Sequence, residues 1–352
     1  MYNFNSGPAA LPGEVLQQAA QDILHFQNGL SVLEMPHRGT AIKAVIKESE
    51  DLVRSLLQLG DDYEVCWMQG GGRAQFAMIP MNFLKPEKTA GFINSGHWAD
   101  EAMNYARYYG KTLEIAGSKD DEYRHIPQWE AIPENLAYVH LTSNNTIYGT
   151  QFFDFPETNA PLVADMSSDL FSRKLDFRKF DLIYAVAQKN IGPAGATLVI
   201  AKSGFLNRQN DNLPGIFSYK ELFKAHSAYN TPPVFAIYCS LLNLRWLCNM
   251  GMDTIERQNR EKAALLYQAI DDSKIFSGTA QKAHRSLMNV CFRGSNPETE
   301  EAFLNFAGQQ GISGIKGHRS VGGFRVALYN AITMEEVNYL VKAMRQFEAN
   351  YQ

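Results

Sequence analysis

Apolar positions along the chain change their spacing twice, and each change marks a different kind of element. Residues 14–28 and 41–59 carry apolar side chains at intervals of three and four. In the second stretch Ile42, Val45, Ile46, Leu52, Val53, Leu56 and Leu57 fall on one face, and Gly60 follows as a stop. That spacing predicts two amphipathic helices. From residue 64 the pattern shifts to short apolar runs, at 64–68, 136–141, 161–166, 182–187 and 196–201, separated by longer amphipathic stretches. Short runs alternating with helical stretches predict βαβ units around a mostly parallel sheet. After about residue 255 the order becomes a helix (255–270), a strand (287–292), a helix (298–310), a strand (323–329) and a last helix from 333. The expected fold class is therefore α/β: a large doubly wound domain over residues 15–256, and a small α+β domain over 257–352 that also takes residues 1–14.

Composition narrows this picture without changing it. At 352 residues the chain is longer than one ordinary core, which suits two domains. The net charge of -4 gives no reason to expect nucleic acid or an anionic membrane as partner, so any bound anion must meet a local cluster of cations. Cys66, Cys239, Cys248 and Cys291 are scattered, with no CxxC pair. They read as reduced thiols, and the expected compartment is the cytoplasm. The N-terminus lacks a basic region followed by an apolar run. The longest apolar stretch, 234–244, falls far short of the roughly 20 residues that span a bilayer.

Candidate chemistry lies after the strands, because open α/β sheets bind ligands beyond the carboxyl ends of their strands. Residues 64–68 run into Gln69-Gly70-Gly71-Gly72-Arg73 and then a helical stretch from Ala74. Such a turn exposes backbone N–H groups at a helix N-terminus, where a phosphate can bind. It is neither a Walker loop nor a GxGxxG fingerprint, and an ordinary βα turn would look the same. Asp165 closes the apolar run 161–164, as a functional acid or as a helix cap. Lys189 stands between Gln188 and Asn190 just after the run 182–187. Lysine is the side chain whose pKa falls readily on burial, as imine formation requires. Phosphate cradle, carboxylate and lysine together are what pyridoxal 5'-phosphate needs for its phosphate, its ring nitrogen and its aldehyde.

A second group of residues suits an anionic substrate. Glycine-flanked His-Arg pairs stand at His37-Arg38-Gly39 and Gly317-His318-Arg319, and Arg325 follows Gly322-Gly323-Phe324. Arginine grips carboxylate and phosphate through paired hydrogen bonds, though any one of these residues alone would pass for surface charge. His25, His97, His125, His140, His226 and His284 have no metal-ligand spacing and read as structural or exposed.

Several segments resemble the phosphoserine aminotransferase family of the class-V, fold-type-I pyridoxal-phosphate enzymes. They are residues 4–12 (Phe-Asn-Ser-Gly-Pro-Ala-Ala-Leu-Pro), 31–39, 70–76 (Gly-Gly-Gly-Arg-Ala-Gln-Phe), 187–195 (Ala-Gln-Lys-Asn-Ile-Gly-Pro-Ala-Gly), 229–233 (Tyr-Asn-Thr-Pro-Pro) and 316–325. The segments run the length of the chain in the family's order. The resemblance implies a seven-stranded, mostly parallel sheet in the large domain and one pyridoxal phosphate per subunit. It implies that Lys189 holds the cofactor as a Schiff base and that Asp165 pairs with the pyridine nitrogen. Trp98 would stack on the ring and Thr146 lie near its polar edge. Gly72, Arg73 and Gln188 would hold the phosphate, completed by Asn230 and Thr231 of a neighbouring subunit, which makes the enzyme a homodimer with shared sites. Arg325 would take the substrate α-carboxylate. His318 and Arg319, with His37 and Arg38 from the partner, would take the substrate phosphate or the glutamate side chain, and Ser6 would border the substrate. The implied reaction is transamination between L-glutamate and 3-phosphohydroxypyruvate, with the phosphorylated 2-oxo acid of vitamin B6 synthesis as a further acceptor.

Three other readings compete. An alanine–glyoxylate aminotransferase would share the fold. A cysteine desulfurase would need a cysteine on a mobile loop, whereas Cys66 and Cys291 sit in apolar runs. A non-catalytic phosphoanion-binding protein would leave Lys189 and Asp165 without a task.

Overall fold

The computed structural model describes residues 1–350. Seven strands form the main sheet: β1 (Tyr63–Met68), β2 (Thr89–Asn94), β3 (Lys111–Gly117), β4 (Val139–Thr142), β5 (Leu162–Asp165), β6 (Leu182–Val186) and β7 (Thr197–Lys202). Their spatial order is β1-β7-β6-β5-β4-β2-β3, and only β7 runs against its neighbours. The sheet is thus seven-stranded and mostly parallel, as expected. The link from β6 to β7, residues 187–196, is too short for a helical crossover, so the chain turns back antiparallel. Strands β4 to β6 are buried on both faces, which is why they read as continuous apolar runs rather than alternating ones.

Helices cover both faces. Two of them, α1 (Gly13–Leu24) and α2 (Thr40–Leu57), lie with α5 (Val234–Met250) against one side, in a core that includes Val53, Ile183, Leu198 and Leu241. The opposite side is covered by α3 (Gly71–Phe83) and α4 (His97–Ala106), over Phe92, Tyr138, Val163 and Tyr184. Two helix ends differ from the sequence expectation. The first helix stops at Leu24 rather than 28, because Asn28 and Gly29 take positive φ (53° and 80°) in a tight turn bridging Gln27 to Leu30. The second ends before Gly60: Gln58 takes the left-handed capping position (φ 51°) and Leu59 N–H closes the turn on Arg54 O.

The C-terminal part holds α6 (Met252–Asp272), β8 (Phe276–Gly278), β9 (Asn289–Gly294), α7 (Pro297–Gln309), β10 (Phe324–Ala327) and α8 (Met334–Asn350). Its three strands pair antiparallel in the order β8-β9-β10. They carry a separate core rich in phenylalanine, in which Phe276 contacts the rings of Phe292, Phe303, Phe324 and Phe347. The N-terminus joins this core: Tyr2–Asn3 pairs with Ile312–Ser313, and Phe4 is fully buried there. Lys262 of α6 is 2% exposed, and its Nζ donates to the carbonyls of Leu328, Tyr329 and Ile332 at 3.2, 3.0 and 2.8 Å. No helix among the described residues is long and apolar enough to cross a membrane.

Candidate active site

A cavity of about 500 Å³ opens at the carboxyl ends of β1, β5 and β6. Each of these strands delivers one element of it. After β1, Gly70 and Gly71 take positive φ (96° and 67°) and α3 begins at once, so the first N–H groups of the helix point into the cavity. A Cβ on Gly71 or Gly72 would meet only Val186 and Phe76, at 3.7 Å or more, and would fill the space in front of those N–H groups. This is a cradle of phosphate size, with the positive end of the helix dipole behind it.

Asp165 is the last residue of β5 and is 6% exposed. Ser167 N–H donates to its Oδ1 at 2.9 Å. Burial raises its pKa, while Lys189, Ser167 and Tyr184 pull it down. Lys189 follows β6 and lines the same cavity. Burial lowers its pKa and Arg325 lowers it further, against the pull of Asp165 and Asp169. Burial is the larger influence on both groups and moves each toward its neutral form, so Lys189 is prepared to act as a free amine. The N-terminal segment crosses behind it. Ala9 N–H donates to Gln188 O at 2.9 Å, and a side chain at Gly7 would touch Lys189 Cγ at 3.6 Å.

The other expected residues fall into two sets. Gly72, Arg73, Trp98 and Gln188 line the cavity with Asp165 and Lys189. Trp98 Nε1 donates to Thr146 Oγ1 at 3.3 Å, and Thr146 O accepts from Arg325 Nη1 at 3.2 Å. The Arg73 guanidinium does not turn into the cradle; it lies 5.3 Å from the Trp98 ring and 3.6 Å from Glu101. His318 lies 6.4 Å from the His97 ring, and its pKa is lowered by burial first and then by Arg325, His97 and Arg319. That links His318, Arg319 and Arg325 in one basic zone beside Trp98. Ser6 Oγ and Arg325 Nε are buried without a partner, which suits a site completed by a ligand.

His37 and Arg38 stand before α2 and do not line this chain's cavity. Asn230 and Thr231 reach only its outer side: Asn230 Nδ2 donates to Gln69 Oε1 at 3.2 Å, and Gln69 Nε2 to Thr231 O at 2.7 Å.

Three participants escaped the sequence reading. Ser167 holds the Asp165 carboxyl and also lines the cavity; its position two residues after a strand-end aspartate was the available signal. His97, read as structural or exposed, lies beside His318. His140 is wholly enclosed and donates or accepts at Tyr184 OH, 2.9 Å away. Among the described residues no three His, Cys, Asp or Glu side chains converge as a metal site.

The model of the aminotransferase class-V family matches residues 1–340. A phosphoserine aminotransferase of Flavobacterium psychrophilum is 48% identical over 99% of this chain and 98% of its own length. The solved phosphoserine aminotransferase of Bacillus circulans subsp. alkalophilus superimposes with a TM-score of 0.97 at 42% identity, covering 100% of this chain and 99% of its own. The crystal structure of the PLP-bound enzyme from Trichomonas vaginalis gives 0.93 at 35% identity, over 98% and 99%. The chain belongs to the class-V aminotransferase family, among its phosphoserine aminotransferases.

Proposed function

We propose that this chain transfers the amino group of L-glutamate to 3-phosphohydroxypyruvate, giving 2-oxoglutarate and O-phospho-L-serine. The observation that carries the reading is the meeting of Lys189, Asp165 and the Gly70–Gly72 cradle in one cavity. The cradle, the enclosed carboxylate and the lysine of lowered pKa fit pyridoxal phosphate at its phosphate, ring nitrogen and aldehyde. When bound, that group supplies a carbonyl that captures an amine and a conjugated ring that accepts the electron pair left at Cα.

The protein's own residues do the rest. Lys189 Nζ would hold the cofactor's carbonyl carbon until the substrate amine displaces it, and the amine so freed would take the proton from the substrate Cα as general base and return it as acid. Asp165, held by Ser167, keeps a proton on the ring nitrogen. The backbone N–H groups of Gly72 and Arg73, with Gln188, would hold the phosphate end, and Trp98 would cover the ring with its indole fixed by Thr146. Arg325 holds the α-carboxylate of the substrate, and Ser6 borders it. His318 and Arg319 receive the distal phosphate or carboxylate. Charge-assisted hydrogen bonds contribute about 1.5–3 kcal/mol each, so two such contacts favour a phosphorylated acceptor over pyruvate or glyoxylate by at least about a hundredfold.

His37, Arg38, Asn230 and Thr231 stand outside this chain's own cavity, which supports a homodimer whose partner supplies them. We read residues 15–256 as the large domain and 1–14 with 257–352 as the small one. Four free cysteines, three of them buried, support a cytoplasmic enzyme.

A coupled assay with glutamate and phosphohydroxypyruvate, run beside a visible spectrum, tests the proposal. A normal cofactor band with no phosphoserine formed would reject the substrate, and no band would reject the cofactor site. Mixed Lys189→Ala and Arg38→Ala protomers should regain part of the activity. None in verified heterodimers rejects the shared site.

A further inference from the structure

Behind Asp165, away from the cavity, lies a line of buried polar groups that the reaction as described does not use. Asp165 and Tyr184 are register partners on the parallel strands β5 and β6, so their side chains leave the sheet on the same face. The Tyr184 hydroxyl lies close enough to the Asp165 carboxyl to pull its pKa down, and the carboxyl in turn raises that of the phenol. His140, on β4, is the partner of Val163 and reaches over that strand to Tyr184 OH, with its Nε2 2.9 Å away. The Phe92 ring is 5.6 Å from the imidazole. His140 Nδ1 is buried and has no hydrogen-bond partner.

The chemistry of the three groups fixes the direction of their hydrogen bonds. A carboxylate only accepts, so Tyr184 must donate its single proton to Asp165. The phenol oxygen is then left to accept, and His140 must donate to it from Nε2. A neutral imidazole with its proton on Nε2 has none on Nδ1, so the orphaned atom is a bare acceptor. In the reverse arrangement Tyr184 would donate to His140. Its lone pairs would then face the carboxylate, and an N–H would be stranded at Nδ1 in an apolar layer. That adds a buried unpaired donor to a repulsive contact.

We infer that His140, held as the neutral Nε2–H tautomer, and Tyr184 form a one-way donor chain ending on Asp165, and that both are positioning residues which keep this carboxyl anionic and aimed into the cavity. Burial alone drives Asp165 toward its neutral form, and a neutral acid cannot hold a proton on a ring nitrogen. The donor chain works against that. Burial also pushes His140 down to about 3, so the ring stays neutral at working pH and adds no competing positive charge. The inference rests on Asp165 facing the cofactor's ring nitrogen, as proposed above.

The test uses the full-length protein labelled with ¹⁵N-histidine, with and without pyridoxal phosphate. The His140 signals are identified by their loss in His140→Gln. The expected result is a proton on Nε2 and none on Nδ1, unchanged from about pH 5 to 8. A protonated Nδ1 in either form overturns the inference. In the loaded enzyme, Tyr184→Phe removes only the hydroxyl. Its kcat should fall on the order of tenfold, with a changed visible spectrum and a glutamate KM within about twofold. An unchanged spectrum and kcat would overturn the chain. His140→Gln keeps an N–H donor near the same place and should stay close to wild type, whereas His140→Leu should behave like Tyr184→Phe. Equal losses in Gln and Leu variants would reduce His140 to packing. Failure of the underlying reading is a separate result: Asp165→Ala would keep both its spectrum and its turnover, whatever the histidine tautomer.

Discussion

Two lysines withdraw from solvent in this molecule, and their surroundings give them opposite tasks. Lys262 spends all three ammonium protons on the carbonyls of Leu328, Tyr329 and Ile332, and so ties α6 to the segment after β10. Lys189 faces a cavity, beside one carboxyl and near one guanidinium. Burial lowers the pKa of both. Loss of solvation is therefore no mark of a reactive lysine by itself. What separates them is the partner set: a full set of acceptors makes a joint, and an open cavity leaves an amine with work to do.

The largest way to break this comparison is Lys189→Ala. Turnover should fall about a hundredfold to ten-thousandfold, as expected for removal of a general acid–base, while the denaturation midpoint hardly moves. A variant with intact rate would erase the distinction. Lys262→Met should do the reverse, keeping the cofactor spectrum. It strands the carbonyls of Leu328 and Ile332, while Tyr329 O keeps the Ile332 N–H, and at about 1 kcal/mol for each the protein should lose about 2 kcal/mol in urea unfolding. A normal midpoint would show that the triple contact does not stabilise the fold. Arg319→Ala sharpens the cavity side: KM for phosphohydroxypyruvate should rise about tenfold with kcat little changed. Equal kinetics would remove Arg319 from the substrate site.

The smallest effect concerns His318. Its pKa is depressed below the usual histidine value in the free protein. A bound sulfate would favour the imidazolium and raise it, so binding takes up a proton. Sulfate affinity should then increase by about threefold as pH falls below the usual histidine range, where the free imidazole is still neutral and the bound one is charged. His318→Gln should flatten that slope, and calorimetry in two buffers would read the proton uptake directly.

Much of the site could be read in advance because its chemistry sits at strand ends, where apolar runs stop at Met68, Asp165 and Val186. Two strands of the main sheet escaped notice for physical reasons. In β2 Gly91 looks like a break, yet a side chain there would press within 2.6 Å of Ile115 and 2.8 Å of Leu136, so the glycine marks close packing. The strand at the sheet edge, β3, has Lys111, Leu113, Glu114 and Gly117 exposed and lacks an apolar run. Residue pairs also mislead without geometry. His284-Arg285 repeats the dipeptide of the basic zone, but Arg285 is bound to Asp271 at 2.7 Å and lies outside the cavity. The histidine at 140 was invisible as a participant, because its meaning depends on a tyrosine 44 residues away.

The pairing of Tyr2–Asn3 with Ile312–Ser313, and of Ala9 with Gln188, bears on how the protein is made. Chains emerge from the ribosome N-terminus first. The opening segment, which ends up behind Lys189, therefore has no strand to pair with until synthesis has passed residue 313. The segment that backs Lys189 is thus anchored by a strand that lies far along the chain from it.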